Sequence, residues 1–459
     1  MTLINQAAKG RSSARSMAEQ ARLSSCAKVS VYRPFFICGT LTVLTAGCLL
    51  GALALWGLSM QGNYLASAWT PYVLAHANSQ LYGWVGFFVI GFSLQHHAPT
   101  VAKQGLFNVL AWATLILMGA GILLRFLAEP FSRNGSPGWV AVGVVSACIQ
   151  ALAVLLFVAN TTLTRYRPTE ADGSGLLQVA GKPSRMKKPT WQTSFVFLSL
   201  FFFVSVAIIE PIAFALSHRT DSVSNLSFVA EWLVPLREAQ FLGFVASMVF
   251  GVGLSKFSEC MDFEAPSRQL GLAGFWFWTC GLACRIFGWL HYFRNDMQPN
   301  AGTAYFVGGI LLCAGACLVV ASSGVLRRST TQYKRKPILR SMKFIRAAMA
   351  WLLVAGTMMV AEPFVLGLMS QPFSHAYTGA IRHAVTVGFI SQSIIGFSSR
   401  IVPNIIGVED SSLPRLWPTT SSFGVPFFFS SLSPLGFSRA PQSCGVLDEK
   451  QPAEARTPI

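Results

Sequence analysis

Uninterrupted apolar stretches longer than 18 residues recur along this chain, and nothing else constrains its fold as tightly. Inside lipid every backbone N–H and C=O must be bonded within the chain, so such stretches are spanning helices unless a very large core hides them. With 53% hydrophobic and 12% charged residues in 459, no soluble core of that size is reasonable. A membrane barrel would need short alternating segments instead. The chain therefore reads as an all-α polytopic membrane protein. Ten spans are expected, near 35–60, 74–95, 105–128, 138–160, 193–216, 233–256, 270–292, 302–326, 345–369 and 377–402.

A net charge of +17 would suit a nucleic-acid partner, but the 35 Lys and Arg are placed as topology signals. If the spans alternate, the N-terminal tail, the connections 96–104 and 256–269, the loop 161–192 and the stretch 327–346 share one side. Together they carry 23 of these residues, while the opposite connections carry Arg133, Arg219 and Arg294. Basic loops are retained in the cytoplasm, so the asymmetry predicts a cytoplasmic N-terminus in a bacterial inner membrane. No aromatic residues interleave the basic runs as a stacking surface requires, so the expected partner is the lipid bilayer and not nucleic acid. Residues 1–34, rich in Ala, Ser and Arg, read as a cytoplasmic tail and not as a cleaved signal peptide. The ten Cys sit mostly within spans and do not form a secreted disulfide framework.

Three spans share a short pattern. It reads Asn78-Ser79-Gln80-Leu81-Tyr82-Gly83-Trp84, Glu238-Ala239-Gln240-Phe241-Leu242-Gly243-Phe244 and His383-Ala384-Val385-Thr386-Val387-Gly388-Phe389. In each copy a Gly precedes an aromatic residue, a polar or ionisable residue stands five positions before that Gly, and a second Gly follows eight residues later. The first two copies are offset by 160 residues, as are Gly121-Ile122-Leu123-Leu124-Arg125 and Gly281-Leu282-Ala283-Cys284-Arg285. Glu210-Pro211 and Glu362-Pro363 close two further spans. A shared offset of this kind predicts internal repeats. The expected division is a first four-helix repeat at 35–160, a basic cytoplasmic loop at 161–192, a second repeat at 193–326, a second basic loop at 327–344, a partial third repeat at 345–402 and a Ser/Pro-rich tail at 403–459. The pattern is thus 4+4+2, with an incomplete third unit.

Ionisable residues are costly within a bilayer and mark sites. Here they gather at the outer ends of the spans: His76, Asn78 and Gln80; Arg125 and Glu129; Glu210; Arg237 and Glu238; Arg285 and His291; Glu362; Arg382 and His383. Arg400 alone falls at an inner end. This predicts a polar chamber that includes Asn78, Gln80, Arg237, Glu238 and Arg400. His76 and His383, at similar depth on different spans, make a chemically sensible pair of axial ligands for one haem iron. Arg125 and Arg285 could then neutralise its propionates. His96, His97 and His218 lie at loop edges and are expected to be solvated. Cys280 and Cys284, and Cys313 and Cys317, share helix faces at a spacing of four; small-residue packing is the expected role, with metal binding the alternative.

At these residues the chain, from about 35 to 407, resembles the NnrS family of haem- and copper-containing membrane proteins. That family's second span carries a motif similar to His-Ala-His-Glu-Met-Leu-Phe-Gly; here it is His76-Ala77-Asn78-Ser79-Gln80-Leu81-Tyr82-Gly83, with Asn78 in place of the second His. The family's tenth span resembles His383-Ala384-Val385-Thr386-Val387-Gly388, followed by Ser399-Arg400. Its later Gly-His-Thr-Gly is replaced by Pro403-Asn404-Ile405-Ile406-Gly407. The resemblance implies haem, b-type in the absence of a Cys-x-x-Cys-His attachment, with copper less expected where His residues are missing. It also implies nitric oxide as ligand, a role in nitric-oxide response or denitrification-linked stress, and an electron-transfer partner of unknown kind. A more distant, architectural likeness is to the catalytic subunit of haem–copper oxidases, although Arg237-Glu238 stands where that subunit has a copper-binding His. Three readings follow. The first is a haem-binding protein that is not itself an enzyme, with no catalytic residue assigned. The second is a transporter with an outer-facing polar cavity lined by Arg125, Glu238 and Arg285. The third is a degenerate oxidase-like redox subunit.

Overall fold

The computed structural model describes residues 31–61, 69–96, 103–132, 136–164, 190–218, 222–255, 267–326 and 336–406. Of the expected tails and basic loops, 1–30, 165–189, 327–335 and 407–459 lie outside these residues, while 33–34, 336–344 and 403–406 are helical. All regular structure within them is helical. Ten rods follow one another: α1 (33–61), α2 (70–96), α3 (Gln104–Ser132), α4 (Pro137–Leu163), α5 (Trp191–Ser217), α6 (222–255), α7 (Arg268–Arg294), α8 (Thr303–Ser323), α9 (Lys336–Leu368) and α10 (375–406). Eight of them are long and apolar enough to cross a bilayer. The other two, α2 and α10, are as long, but His76, Asn78, Ser79 and Gln80 in one and Arg382 and His383 in the other dilute their apolarity. The protein is a polytopic α-helical membrane protein.

Consecutive rods pack against each other, with the closest pairings α7 on α8 and α3 on α4. The large apolar side chains left uncovered, among them Ile37, Leu41, Trp56, Ile116, Phe197, Phe287 and Phe364, point outward where lipid supplies their solvent. α6 runs through the middle, with 78% of its apolar window buried against 22–50% for the other spans. It meets α10 through Phe250 and Phe389, whose ring centres are 5.6 Å apart. α2 meets α10 where the Trp84 indole N–H donates to Ser391 Oγ at 3.2 Å.

The recurring sequence pattern has a backbone counterpart. Its three copies fall on π-helical segments of equal length, Ser79–Gly86, Ala239–Ala246 and Ala384–Ser391. Each begins directly after the polar residue, Asn78, Glu238 or His383, and holds the Gly at its fifth position. A π turn is wide and loosens the backbone ladder, so it persists only where neighbours fill the space and take up the displaced carbonyls. Both occur. Gly83, Gly243 and Gly388 lie directly against Thr42, Phe202 and Trp351 on α1, α5 and α9. Ser199 Oγ donates to the Phe244 carbonyl at 2.7 Å, Trp278 Nε1 to that of Leu242 at 3.4 Å, and Ser391 Oγ to that of Thr386 at 3.0 Å. The residues that pack on the first two glycines, Thr42 and Phe202, are themselves 160 positions apart.

Candidate functional site

Three Glu-Pro dipeptides occur in the last turns of helices: Glu129-Pro130 in α3, Glu210-Pro211 in α5 and Glu362-Pro363 in α9. All three carboxylates turn inward and are buried. They face arginines that the sequence places at the same level, so one charge network forms at the end expected to be outer. Arg125 Nε donates to Glu129 Oε1 at 2.7 Å, and its Nη2 lies 3.6 Å from Glu210 Oε2. The guanidinium also sits 4.1 Å from the centre of the Phe214 ring. Across Glu210, Arg237 Nη1 approaches Oε1 at 3.5 Å and donates to Gln240 Oε1, while the Gln240 amide donates back to the same Glu210 oxygen.

The second half of the network centres on Arg285, which is fully buried. Its Nη1 donates to Glu362 Oε2 at 2.6 Å and its Nη2 to Glu238 Oε1 at 3.2 Å. The guanidinium lies 3.8 Å from the Tyr305 ring centre, and the Tyr305 hydroxyl donates to the other Glu362 oxygen at 3.2 Å. Because Arg237 and Glu238 are chain neighbours, the two halves are continuous. The halves also match: Arg125 ties α3 to α5 as Arg285 ties α7 to α9. Ionised groups this far from water persist only when paired, and each guanidinium here faces a carboxylate, although Arg125 Nη1 and Arg285 Nε have no hydrogen-bond partner among the described residues. A cavity of about 10 Å³, room for one water, lies between Arg237, Glu238, Thr378 and Arg382.

Four of the residues expected to line a polar chamber or a cofactor, Arg125, Arg237, Glu238 and Arg285, are thus brought together, and their partners are protein carboxylates. Asn78 and Gln80 go elsewhere. Asn78 and Gln150 exchange two hydrogen bonds of 3.2 and 3.0 Å between α2 and α4, both side chains buried. Gln80 reaches α1 at Gly47. Arg400 belongs to α10, but its side chain lies outside what the structure describes. His218, expected in solvent, is turned in instead, and only 9% of its side chain is accessible. Its ring stacks on Phe214 at 4.0 Å and its Nε2 stands 3.2 Å from Glu129 Oε2. The aromatic face and the buried carboxylate outweigh solvation at that helix end. His291 and His375 are exposed. Cys280 and Cys317 are exposed on lipid-facing helix surfaces, while Cys313 packs on Gly356, in keeping with small-residue packing.

The two imidazoles singled out by sequence are held alike. His76 Nδ1 bonds the Gly47 carbonyl of α1 at 2.8 Å, and the ring lies against Gly51, where a Cβ would stand 2.6 Å from Cε1 and leave no room. His383 Nδ1 bonds the Gly379 carbonyl of its own helix, also at 2.8 Å. A carbonyl only accepts, so in the neutral ring the proton resides on Nδ1 and the lone pair on Nε2. Both rings are partly buried. Gln240, Tyr305 and Gln150 were not singled out by sequence. Gln240 was findable, since the 160-residue offset maps Gln80 onto it. Tyr305 and Gln150 carry no such signal.

The Asn78–Gln150 pair yields a direct prediction. Asn78→Leu strands a buried amide and should cost about 1–3 kcal/mol, while Asn78→Leu with Gln150→Leu should recover most of it. Thermal unfolding in detergent checks this, and equal losses for the single and double variants would count against the pair.

No protein-family model matches this chain, and no curated protein matches it.

Proposed function

We propose that this chain is a haem-binding integral membrane protein in which His76 and His383 are the axial ligands of one b-type iron, with nitric-oxide response as its setting. The matched anchoring of the two rings carries this reading. Metal-ligating histidines commonly pass their second ring N–H to a backbone carbonyl, which fixes the tautomer and aims the other nitrogen. Both rings do so at 2.8 Å, from helices that are joined through Trp84 and Ser391. The chemistry of the donor set also favours a tetrapyrrole. Haem iron brings four ligands and asks for two, which two histidines can supply. Copper is the less expected metal, because Asn78 stands where the resembled motif has its second His. When bound, the iron would supply a one-electron centre; with both imidazoles ligated its six positions are filled, so a diatomic ligand would have to displace one of them. What this chain contributes is the fixing of two lone pairs: Gly47 and Gly51 hold one ring against α1, and Gly379 holds the other. The likeness of the His76 and His383 motifs to the NnrS family supports the nitric-oxide setting. A transporter reading has less support, since the space beside Arg237 and Glu238 admits only a water-sized guest.

The test is the visible spectrum of protein purified from haem-replete cells. A Soret band is expected, and His76→Ala and His383→Ala should each remove or shift it while thermal unfolding stays cooperative. A colourless preparation, or a Soret band indifferent to both substitutions, would falsify the proposal.

A further inference from the structure

The imidazole of His218, just past the end of α5, is set between two hydrogen-bond acceptors. Its Nδ1 stands 2.9 Å from the Phe214 carbonyl oxygen, and its Nε2 stands 3.2 Å from Glu129 Oε2 of α3. A neutral ring has one N–H and one lone pair, so it cannot serve both. With the hydrogen on Nδ1, a lone pair faces the carboxylate; with the hydrogen on Nε2, a lone pair faces the carbonyl. Ser217 Oγ, 3.1 Å from Nδ1, does not resolve this, since it donates its only hydrogen to the same carbonyl at 3.1 Å. The imidazolium alone offers a donor to each side. The proton does not belong on the carboxylate, because Glu129 Oε1 accepts from Arg125 at 2.7 Å, which favours the ionised form. Glu129 Oε2 is buried with no hydrogen-bond partner among the described residues, and a proton on the imidazole beside it is what can compensate it. Of the ionisable groups on the elements packed here, α3 brings Arg125 beside Glu129, α5 brings Glu210, and α6 brings Arg237 across it. α4, which packs Gly143 on Phe214, carries no charged residue. Arg133, Arg219 and Asp221, in the adjoining connections, lie outside the described residues.

This pair is an addition to the repeat. The 160-residue offset that maps Arg125 onto Arg285 puts Trp289 where Glu129 stands, and Trp289 closes its half with the Tyr305 and Phe373 rings, centred 5.4 and 5.0 Å away. Arg285 reaches Glu362 at 2.6 Å, whereas Arg125, held by Glu129, stops 3.6 Å from Glu210. We propose that His218 and Glu129 form a proton-operated latch between the ends of α5 and α3, shut when the imidazole is protonated and released when it is neutral. Shut, the imidazolium donates to Glu129 and to the Phe214 carbonyl and ties the last turn of α5 to α3. The Phe214 ring, which carries the His218 ring at 4.0 Å and the Arg125 guanidinium at 4.1 Å, favours a cation at that place. Released, the Nε2 lone pair opposes Oε2, Glu129 depends on Arg125 alone, and the end of α5 lifts from the first half of the charge layer. The shut form binds the extra proton, so shutting is favoured in acid and lost as the pH rises through the range of about 5–8 where imidazoles change charge. The latch lies on α3 and α5 and does not rest on the haem reading, whose ligands are on α2 and α10.

The test is a titration of the full chain in detergent from pH about 5 to about 8.5, spanning the imidazole range, with the histidine ring nitrogens isotope-labelled for NMR. At pH about 6 a ring protonated on both nitrogens is expected, and His218→Gln should remove its signal. In Glu129→Gln the same ring should lose its proton at least one pH unit lower, an about tenfold weaker hold. Asp221→Asn should leave it unmoved. Amide exchange in the last turn of α5, corrected for its intrinsic pH dependence, reads the latch itself. It should rise about tenfold across the titration in the parent and stay high throughout in His218→Gln. His218→Gln keeps the Arg125–Glu129 pair, so this comparison stands even if Glu129→Gln fails to fold. A neutral His218 ring at pH about 6, or exchange in α5 that ignores pH or ignores His218→Gln, overturns the proposal. So does a proton that responds to Asp221→Asn and not to Glu129→Gln.

Discussion

Arg285→Ala should lose about 3–5 kcal/mol of stability, read as a large drop in the unfolding midpoint in detergent or as loss of folded protein altogether. The cost comes less from the contact removed than from what is left behind. Glu362 and Glu238 would remain buried, 1% and 7% exposed, with the cation between them gone. Tyr305 would keep its bond to Glu362 but lose the guanidinium over its ring. Replacing the set together, Arg285→Met with Glu362→Leu and Glu238→Gln, should restore most of the loss, because no uncompensated charge then stays in the interior. A single variant within 1 kcal/mol of the parent would mean that the network does not form. The rim pair Arg294–Glu231 offers a contrast. At 2.7 Å it is as short, but Arg294 is 58% exposed, and Arg294→Gln should change stability by under about 1 kcal/mol.

The second large effect is expected at the crossing of α7 and α8. A Cβ on Gly308 would stand 2.8 Å from the Arg285 amide nitrogen and 2.8 Å from the Gly281 carbonyl oxygen, and one on Gly281 would stand 2.7 Å from the Leu312 nitrogen. These neighbours are backbone and cannot swing aside. Small residues at such a crossing let two membrane helices touch, and here the touch is what sets Arg285 opposite Glu362. Gly308→Leu must push the helices apart, at or above the upper end of the ~1–3 kcal/mol seen for overpacking. It should also break the Arg285 pair, so the two losses should not add when combined with Arg285→Ala. Additive losses would show that the crossing does not position the arginine. Gly119→Ala, with open space around it, should be close to neutral.

Most of the fold was legible because long apolar runs leave few choices. α9 begins at Lys336, nine residues before the expected span, since its first turns are basic and escape a hydropathy reading. The network was half legible. The equivalence of Arg125 with Arg285 followed from the shared offset, and Glu210-Pro211 with Glu362-Pro363 from a common dipeptide. Glu129-Pro130 is the same dipeptide, yet a single carboxylate near a helix end reads first as a snorkelling group. That each arginine spends itself on protein carboxylates depends on distances between helices, which no spacing along the chain encodes. The π segments were invisible for another reason. A shift from i−4 to i−5 bonding leaves residue types unchanged and only rotates the faces that follow. The sequence nevertheless marked three of them, since the conspicuous Gly of each pattern copy is the fifth residue of the wide turn.

The charge network has an electrical consequence. Arg125, Arg237, Arg285 and Arg382 stand against Glu129, Glu210, Glu238 and Glu362, four cations against four anions at one level of the bundle. One elementary charge carried through 100 mV gains about 2.3 kcal/mol, whereas a balanced set carried together gains nothing. The transmembrane potential therefore does no work on these eight side chains when they move as one body; only their ion pairs hold α7 and α10, with Arg285 and Arg382, against α5 and α9, with Glu210 and Glu362, which the same field pushes the other way.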